Sequence, residues 1–279
     1  MIRPDELARD ERFERIKIED VIFDARNASA KEQRSRQGGF RIDNEEAPDA
    51  ARGLMHGIFV GEIQALEGAG RTCFDFETGD GREQAPFAMK LDMARQCWDE
   101  ARHVEISCKL GDHMGAEIGE FGEQVLLYEA ACNPDPVLRL TGVNRALEGL
   151  AIDVFNTMRE FGDVSGDPVL EFCEDWMLAD EVTHVKMGSD WLRKVTEKDP
   201  ERRAKALEFQ QVVDKLFSFG GARGESDESS IGLARRFREL AGFTDDEVDV
   251  IAKMDSDALA ERKAAVQLAQ EAAGAVAAF

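Results

Sequence analysis

Glu67, Glu100 and His103 recur, in the same order and at the same spacing, as Glu148, Glu181 and His184. In each set the lone glutamate precedes a Glu-x-x-His pair by 33 residues, and the second set follows the first by 81. The surroundings repeat as well: Ala65-Leu66-Glu67-Gly68 returns as Ala146-Leu147-Glu148-Gly149, and Asp99 and Asp180 each stand one place before the paired glutamate. Four carboxylates and two imidazoles in two matching halves form the ligand set of a dinuclear metal site inside a four-helix bundle.

The spacing has a physical basis. Positions i and i+3 lie on one face of a helix, about one turn apart, so Glu100 and His103 can hold one ion and Glu181 and His184 another. The lone glutamates from two further helices bridge or cap the pair. Four negative charges balance two divalent cations, so neither acids nor metals are left uncompensated in a core. Carboxylate and imidazole donors without thiolate favour iron or manganese over structural zinc. Asp99 and Asp180 are expected to accept the second N–H of the histidine on the opposite helix, which fixes ring and tautomer. An isolated Glu-x-x-His on a helix is usually a solvated face, but only four histidines occur here and two carry the same context. Glu62 lies about 140° round the helix from Glu67, so both cannot face one site. The repeat selects Glu67, because the counterpart of Glu62 is Val143.

The elements that must position these residues are helices. Ala, Leu, Glu, Arg and Met are plentiful and tyrosine occurs once, an all-α profile. The expected fold is a four-helix bundle with one long crossover, made of an N-terminal arm (1–46), a bundle (47–196) and C-terminal helices packed on it (197–279), all in one domain. Ile16 to Phe23 is expected to dock the arm. The first core helix is predicted from Pro48 to Phe76, with Gly57, Gly61 and Gly68 near one face for close packing. The second is predicted from Pro86 to about 110, the crossover over 111–136, the third from Pro136 to Phe161 and the fourth from Pro168 to about Val195. A fifth is predicted over 199–219, then a flexible stretch at 220–230 and helices near 231–241 and 245–253. Thr244 and Glu247 have the shape of a capping box, and Ser256 is expected to cap a last helix.

The net charge of −22 argues against a nucleic-acid partner, which needs a basic surface. No apolar run reaches the length of a membrane span and no basic leader precedes an apolar stretch, so a cytoplasmic protein is expected. Cys73, Cys97, Cys108, Cys132 and Cys173 form no C-x-x-C and read as free thiols. No nucleophile elbow, P-loop or dinucleotide fingerprint occurs.

Glu62-Ile-Gln-Ala-Leu-Glu67 and Asp180-Glu-Val-Thr-His-Val185, with the repeated ligand motif, resemble the ferritin-like carboxylate-bridged dimetal superfamily, and within it a bacterial branch related to tRNA-modifying di-iron hydroxylases. The resemblance covers about residues 50–195. It implies two iron ions, or manganese with iron, or two manganese, with O₂ as co-substrate. The implied activity is that of a monooxygenase or oxidase acting on a small organic substrate. Electrons would come from a separate donor or from the substrate, and a homodimer is one assembly open to it. A tRNA substrate conflicts with the acidity. Two other readings stand beside it: a ferroxidase or iron store, and an interaction bundle with a relict site. Of the remaining candidates, Glu174 shares a face with Glu181 and reads first as an acid at the surface or behind the ligands, with the lining of a cation or substrate path as the other reading; His56 lies too far along the axis to be a ligand, and His113 is the one spare histidine for a third imidazole. Tyr128, Trp98, Trp176 and Trp191 read as packing residues.

Overall fold

The computed structural model describes residues 49–123, 125–219, 231–257 and 260. The arm and its apolar segment, the stretch at 220–230 and most of the last expected helix lie outside them. Helices dominate, and no strand is present among the described residues. None of the described helices is long and apolar enough to cross a membrane.

Four long helices form two hairpins. α1 (Asp49–Asp75) packs along α2 (Phe87–Met114). After the crossover, which contains the short α3 (Leu126–Ala131), come α4 (Pro136–Thr141), a π-helical segment (Gly142–Leu147) and α5 (Glu148–Ser165) in one continuous run. α5 packs along α6 (Pro168–Val195), α2 meets α6, and α1 meets α5. Each core-facing stripe repeats at intervals of three and four residues. On α1 it is Met55, Ile58, Glu62, Ala65 and Ala69; on α2 it is Met89, Met93, Gln96, Glu100, His103, Ser107, Leu110 and Met114, all buried.

Helix ends follow side-chain chemistry. Asp135 and Asp167 accept backbone N–H bonds at the starts of α4 and α6, each followed by proline at the first helical position. α2 and α5 both outrun their expected ends, by four residues each. Gly111 and Gly162, the first residues past those expected ends, sit within the helices. The true stops are Gly115 (φ 87°) and Gly166 (φ 72°), in the left-handed conformation of C-terminal caps. Gly162 serves packing instead, since a Cβ there would lie 2.6 Å from the backbone nitrogen of Glu171.

The crossover runs back along α1. Gly119 N donates to His56 Nε2 (3.0 Å), Tyr128 N to Gln64 Oε1 (2.9 Å), and Arg71 Nη1 to Tyr128 Oη (2.9 Å). Close packing holds for Gly68, where a Cβ would meet Val143 at 3.2 Å, but Gly57 is exposed with open space beside it.

α7 (Pro200–Phe219) covers α4 and the π-helical segment. Beyond it lie α8 (Arg235–Leu240) and a helix over 245–257. Thr244 and Glu247 exchange the two bonds of a capping box, 2.8 and 3.3 Å. Ser256 falls inside this helix instead of starting another. Two buried arginines fasten these elements. Arg145 donates to Ser189 on α6 (2.5 Å), Gln210 on α7 (2.7 Å) and Glu247 (2.6 Å). Arg238 makes a paired contact with Asp153 of α5, at 3.0 and 2.6 Å.

Candidate metal centre

At mid-height of the bundle, one side chain cluster takes a glutamate from each of the four long helices. Glu62 (α1), Glu100 and His103 (α2), Glu148 (α5), and Glu181 and His184 (α6) are all buried. Their donor atoms fall into two groups, Glu62, Glu100, His103 and Glu181, and Glu100, Glu148, Glu181 and His184. Within each group one donor atom per residue lies within 4.8 Å of every other. Glu100 and Glu181 belong to both.

The Nδ1 atoms of both imidazoles point into this cluster. His103 Nδ1 lies 3.0 Å from Glu62, 3.1 Å from Glu100 and 3.2 Å from Glu181; His184 Nδ1 lies 3.1 Å from Glu100 and 3.5 Å from Glu181. The Nε2 atoms point out to the aspartates of the facing helix: His184 to Asp99 at 3.3 Å and His103 to Asp180 at 3.4 Å. Arg102 contacts both aspartates from the surface and stacks over Trp176, 4.8 Å from its centroid. The edges of Phe155 and Trp176 meet the His103 ring at 6.0 and 5.8 Å.

Five of the sequence-derived positions, Glu100, His103, Glu148, Glu181 and His184, come together. The sixth does not. Glu67 is exposed, and Glu62 takes its place. The cause is the unequal length of the two hairpin connections. Residues 76–86 join α1 to α2, whereas Gly166 and Asp167 alone join α5 to α6. Equal separation in sequence therefore cannot mean equal height in the bundle. Glu62 is as far from the end of α1 as Glu100 is from the start of α2. Glu67 sits about 7.5 Å nearer the connection and on another face. The signal lay in the periodicity: Glu62 continues the Met55-Ile58-Ala65-Ala69 stripe, and Glu67 does not.

Two further polar residues, which the sequence repeat does not mark, meet the cluster. Gln96, one turn before Glu100, donates to Glu148 Oε1 (2.5 Å) and Glu100 Oε1 (3.1 Å), and Asn144 donates to Gln96 (2.5 Å). Asn144 lies in the π-helical segment, whose wide turn immediately precedes Glu148. Such segments often occur at functional sites. Of the other candidates, His56 bonds the crossover, His113 bonds Asp167 at 2.6 Å at the end of the bundle, and neither joins the cluster. Trp191 is buried, but Trp98, expected in the core, is 51% exposed. All five cysteines are free thiols.

Electrostatics bind the cluster together. Burial alone would raise the Glu100 and Glu181 carboxyls, but the two imidazoles hold both below the usual range. Burial alone would lower the histidines, yet the facing carboxylates push both well above an ordinary imidazole. Burial and the neighbouring carboxylates raise Glu62 and Glu148. Even so, Glu100 Oε2, Glu148 Oε2, both Glu181 oxygens and His184 Nδ1 have no partner in hydrogen-bond geometry, only the ion-pair contacts given above. Buried carboxylate oxygens and imidazole nitrogens converging on two points fit metal cations: the donor set is oxygen and imidazole nitrogen, and its charge suits two divalent ions.

The chain belongs to the family described as "Protein of unknown function (DUF455)", whose model matches residues 8–249. No curated protein and no solved structure matches it.

Proposed function

We propose that this protein is an O₂-using oxidoreductase that binds two metal ions, iron or manganese, within a ferritin-like bundle and oxidises a small organic substrate. The observation that carries the reading is the pair of donor groups sharing Glu100 and Glu181. Glu62 and His103 would hold one ion, Glu148 and His184 the other, and Glu100 and Glu181 would serve both. When bound, such a pair supplies two adjacent one-electron couples and open positions for O₂.

The chain's own residues set the conditions. Asp99 and Asp180 accept the Nε2–H of the imidazoles and so present the Nδ1 lone pairs to the interior. Gln96 holds one oxygen each of Glu148 and Glu100, and Asn144 holds Gln96. Phe155 and Trp176 close the His103 side with aromatic edges, which limits water. The long connection between the second and third long helices supports the ferritin-like topology.

Stopped-flow mixing of the anaerobic Fe(II)-loaded protein with O₂ tests the function. About one O₂ should be consumed per pair of irons, followed by arrest until reductant is supplied. Continuous oxidation of added Fe(II), with mineral accumulating, would replace this reading with iron storage.

A further inference from the structure

The layers of the bundle on either side of the ligand residues differ. Towards the α1–α2 connection, the residues seven places from the four ligand glutamates are Ala69, Met93, Thr141 and Gly188, all buried. The hydrogen-bonded Gln96–Asn144 pair lies on that side. Towards the α5–α6 turn, the residues seven places away are Met55, Ser107, Phe155 and Glu174, each buried to within 1%. Neither the Ser107 hydroxyl nor either oxygen of Glu174 makes a hydrogen bond.

Ser107 and Glu174 share a level. α2 and α6 run antiparallel, with His103 opposite Asp180 and His113 opposite Asp167. Position 107 on that ladder faces position 174. Seven residues of helix put the two about 10 Å along the axis from Glu100 and Glu181. A buried polar group without a partner costs about 1–3 kcal/mol, and more if charged. Two such groups at one level of the bundle, in a layer otherwise made of Met55 and Phe155, mark a place where something else supplies the partners.

We propose that Glu174 and Ser107 anchor the substrate of this enzyme, a small organic amine bound as its ammonium ion with its apolar tail towards the ligand layer. The inference rests on the dimetal reading for calling the amine a substrate and for the direction of its tail; the anchor itself rests on Glu174 and Ser107. Burial holds the Glu174 carboxyl well above the usual carboxylate range, so an amine entering this layer takes its proton and leaves a carboxylate, an acceptor only, paired with the new ammonium. The ammonium supplies three N–H donors and the balancing charge; Glu174 takes two and Ser107 the third. A neutral alcohol takes no proton from Glu174 and supplies one donor in place of three, and a carboxylate offers neither. A divalent metal needs more oxygen ligands than one carboxyl and one hydroxyl. The tail would run past Met55 and Phe155 to the aromatic edge beside His103.

Calorimetry under anaerobic conditions tests this, using butyl-, hexyl- and octylamine against the matching alcohols and carboxylates. The proteins are the Fe(II)-loaded wild type, Glu174→Gln and Ser107→Ala. At least one amine should bind the wild type about tenfold or more tighter than its alcohol, and the carboxylates should not bind. Glu174→Gln should lose about tenfold or more of the amine affinity, and Ser107→Ala about threefold, with metal content unchanged. Equal amine affinity in the wild type and Glu174→Gln, or no binding by any amine, would overturn the proposal. Should Glu174→Gln fail to fold, the amine-to-alcohol ratio in the wild type and Ser107→Ala decides. Metal counts keep the two readings apart: amine preference without bound metal refutes the dimetal centre alone, and two metals without amine preference refutes the anchor alone.

Discussion

At the scale of single residues, the account turns on which glutamate of α1 faces inward. Glu62→Ala should reduce metal content sharply, whereas Glu67→Ala, on an exposed position, should change neither metal content nor stability by more than about 0.5 kcal/mol. Metal analysis of the two purified variants checks this. The aspartates behind the histidines give a graded effect. Asp99→Asn or Asp180→Asn should keep the fold and weaken metal affinity by about 10–100-fold, read by competition with a chelating dye. Protons must also leave when metal enters. In the metal-free cluster His103 and His184 are held protonated above the ordinary imidazole range, and Glu62 and Glu148 above the ordinary carboxyl range. Groups that hold a proton must lose it to ligate, so loading should release protons, and affinity should rise with pH. Calorimetry in buffers of different ionisation enthalpy counts them; an uptake of protons would contradict the electrostatic picture.

The elements show why the sequence was legible in part. Glu100, His103, Glu148, Glu181 and His184 could be read directly because a Glu-x-x-His pair is local to one helix, and helix geometry is universal. Glu62 could not be read from the repeat, because its height depends on a connection of eleven residues in one hairpin and two in the other. Gly111 and Gly162 misled the helix ends because a glycine signals either a stop or a close contact, and only the tertiary neighbour decides which. The π-helical segment and the Gln96–Asn144 pair left no local pattern, since both depend on what packs beside them. Gly188 is a point where that packing can be tested. A Cβ there would lie 2.6 Å from Asn144 Cβ, so Gly188→Ala should cost about 1–3 kcal/mol in a urea melt by forcing α6 away from the π-helical segment. An unchanged midpoint would mean that this contact is looser than described.

For the whole molecule, the segments beyond the bundle act as fasteners. Asp153 and Arg238 are fully buried and paired, joining α5 to α8, while Arg145 ties the π-helical segment to α6, α7 and the helix at 245–257. Breaking a buried pair leaves an uncompensated charge, so Arg238→Met should lower stability by about 3–5 kcal/mol, and adding Asp153→Leu should recover much of the loss. Denaturant titration of the single and double variants measures both. The all-α class was evident from composition, and the crossover from its length. The arginine fasteners were not, because each joins residues more than 40 positions apart.

The central claim is a dinuclear centre formed by Glu62, Glu100, His103, Glu148, Glu181 and His184. Mössbauer spectroscopy of the ⁵⁷Fe(II)-loaded protein, before and after O₂ and with iron counted on the same sample, tests it most directly. The account predicts about two irons per chain, both high-spin ferrous at first and then a spin-coupled ferric pair, with the signal lost when Glu62 and Glu148 are both replaced by alanine. Isolated single irons, tens of irons per chain, or an unchanged pair in the double variant would contradict it.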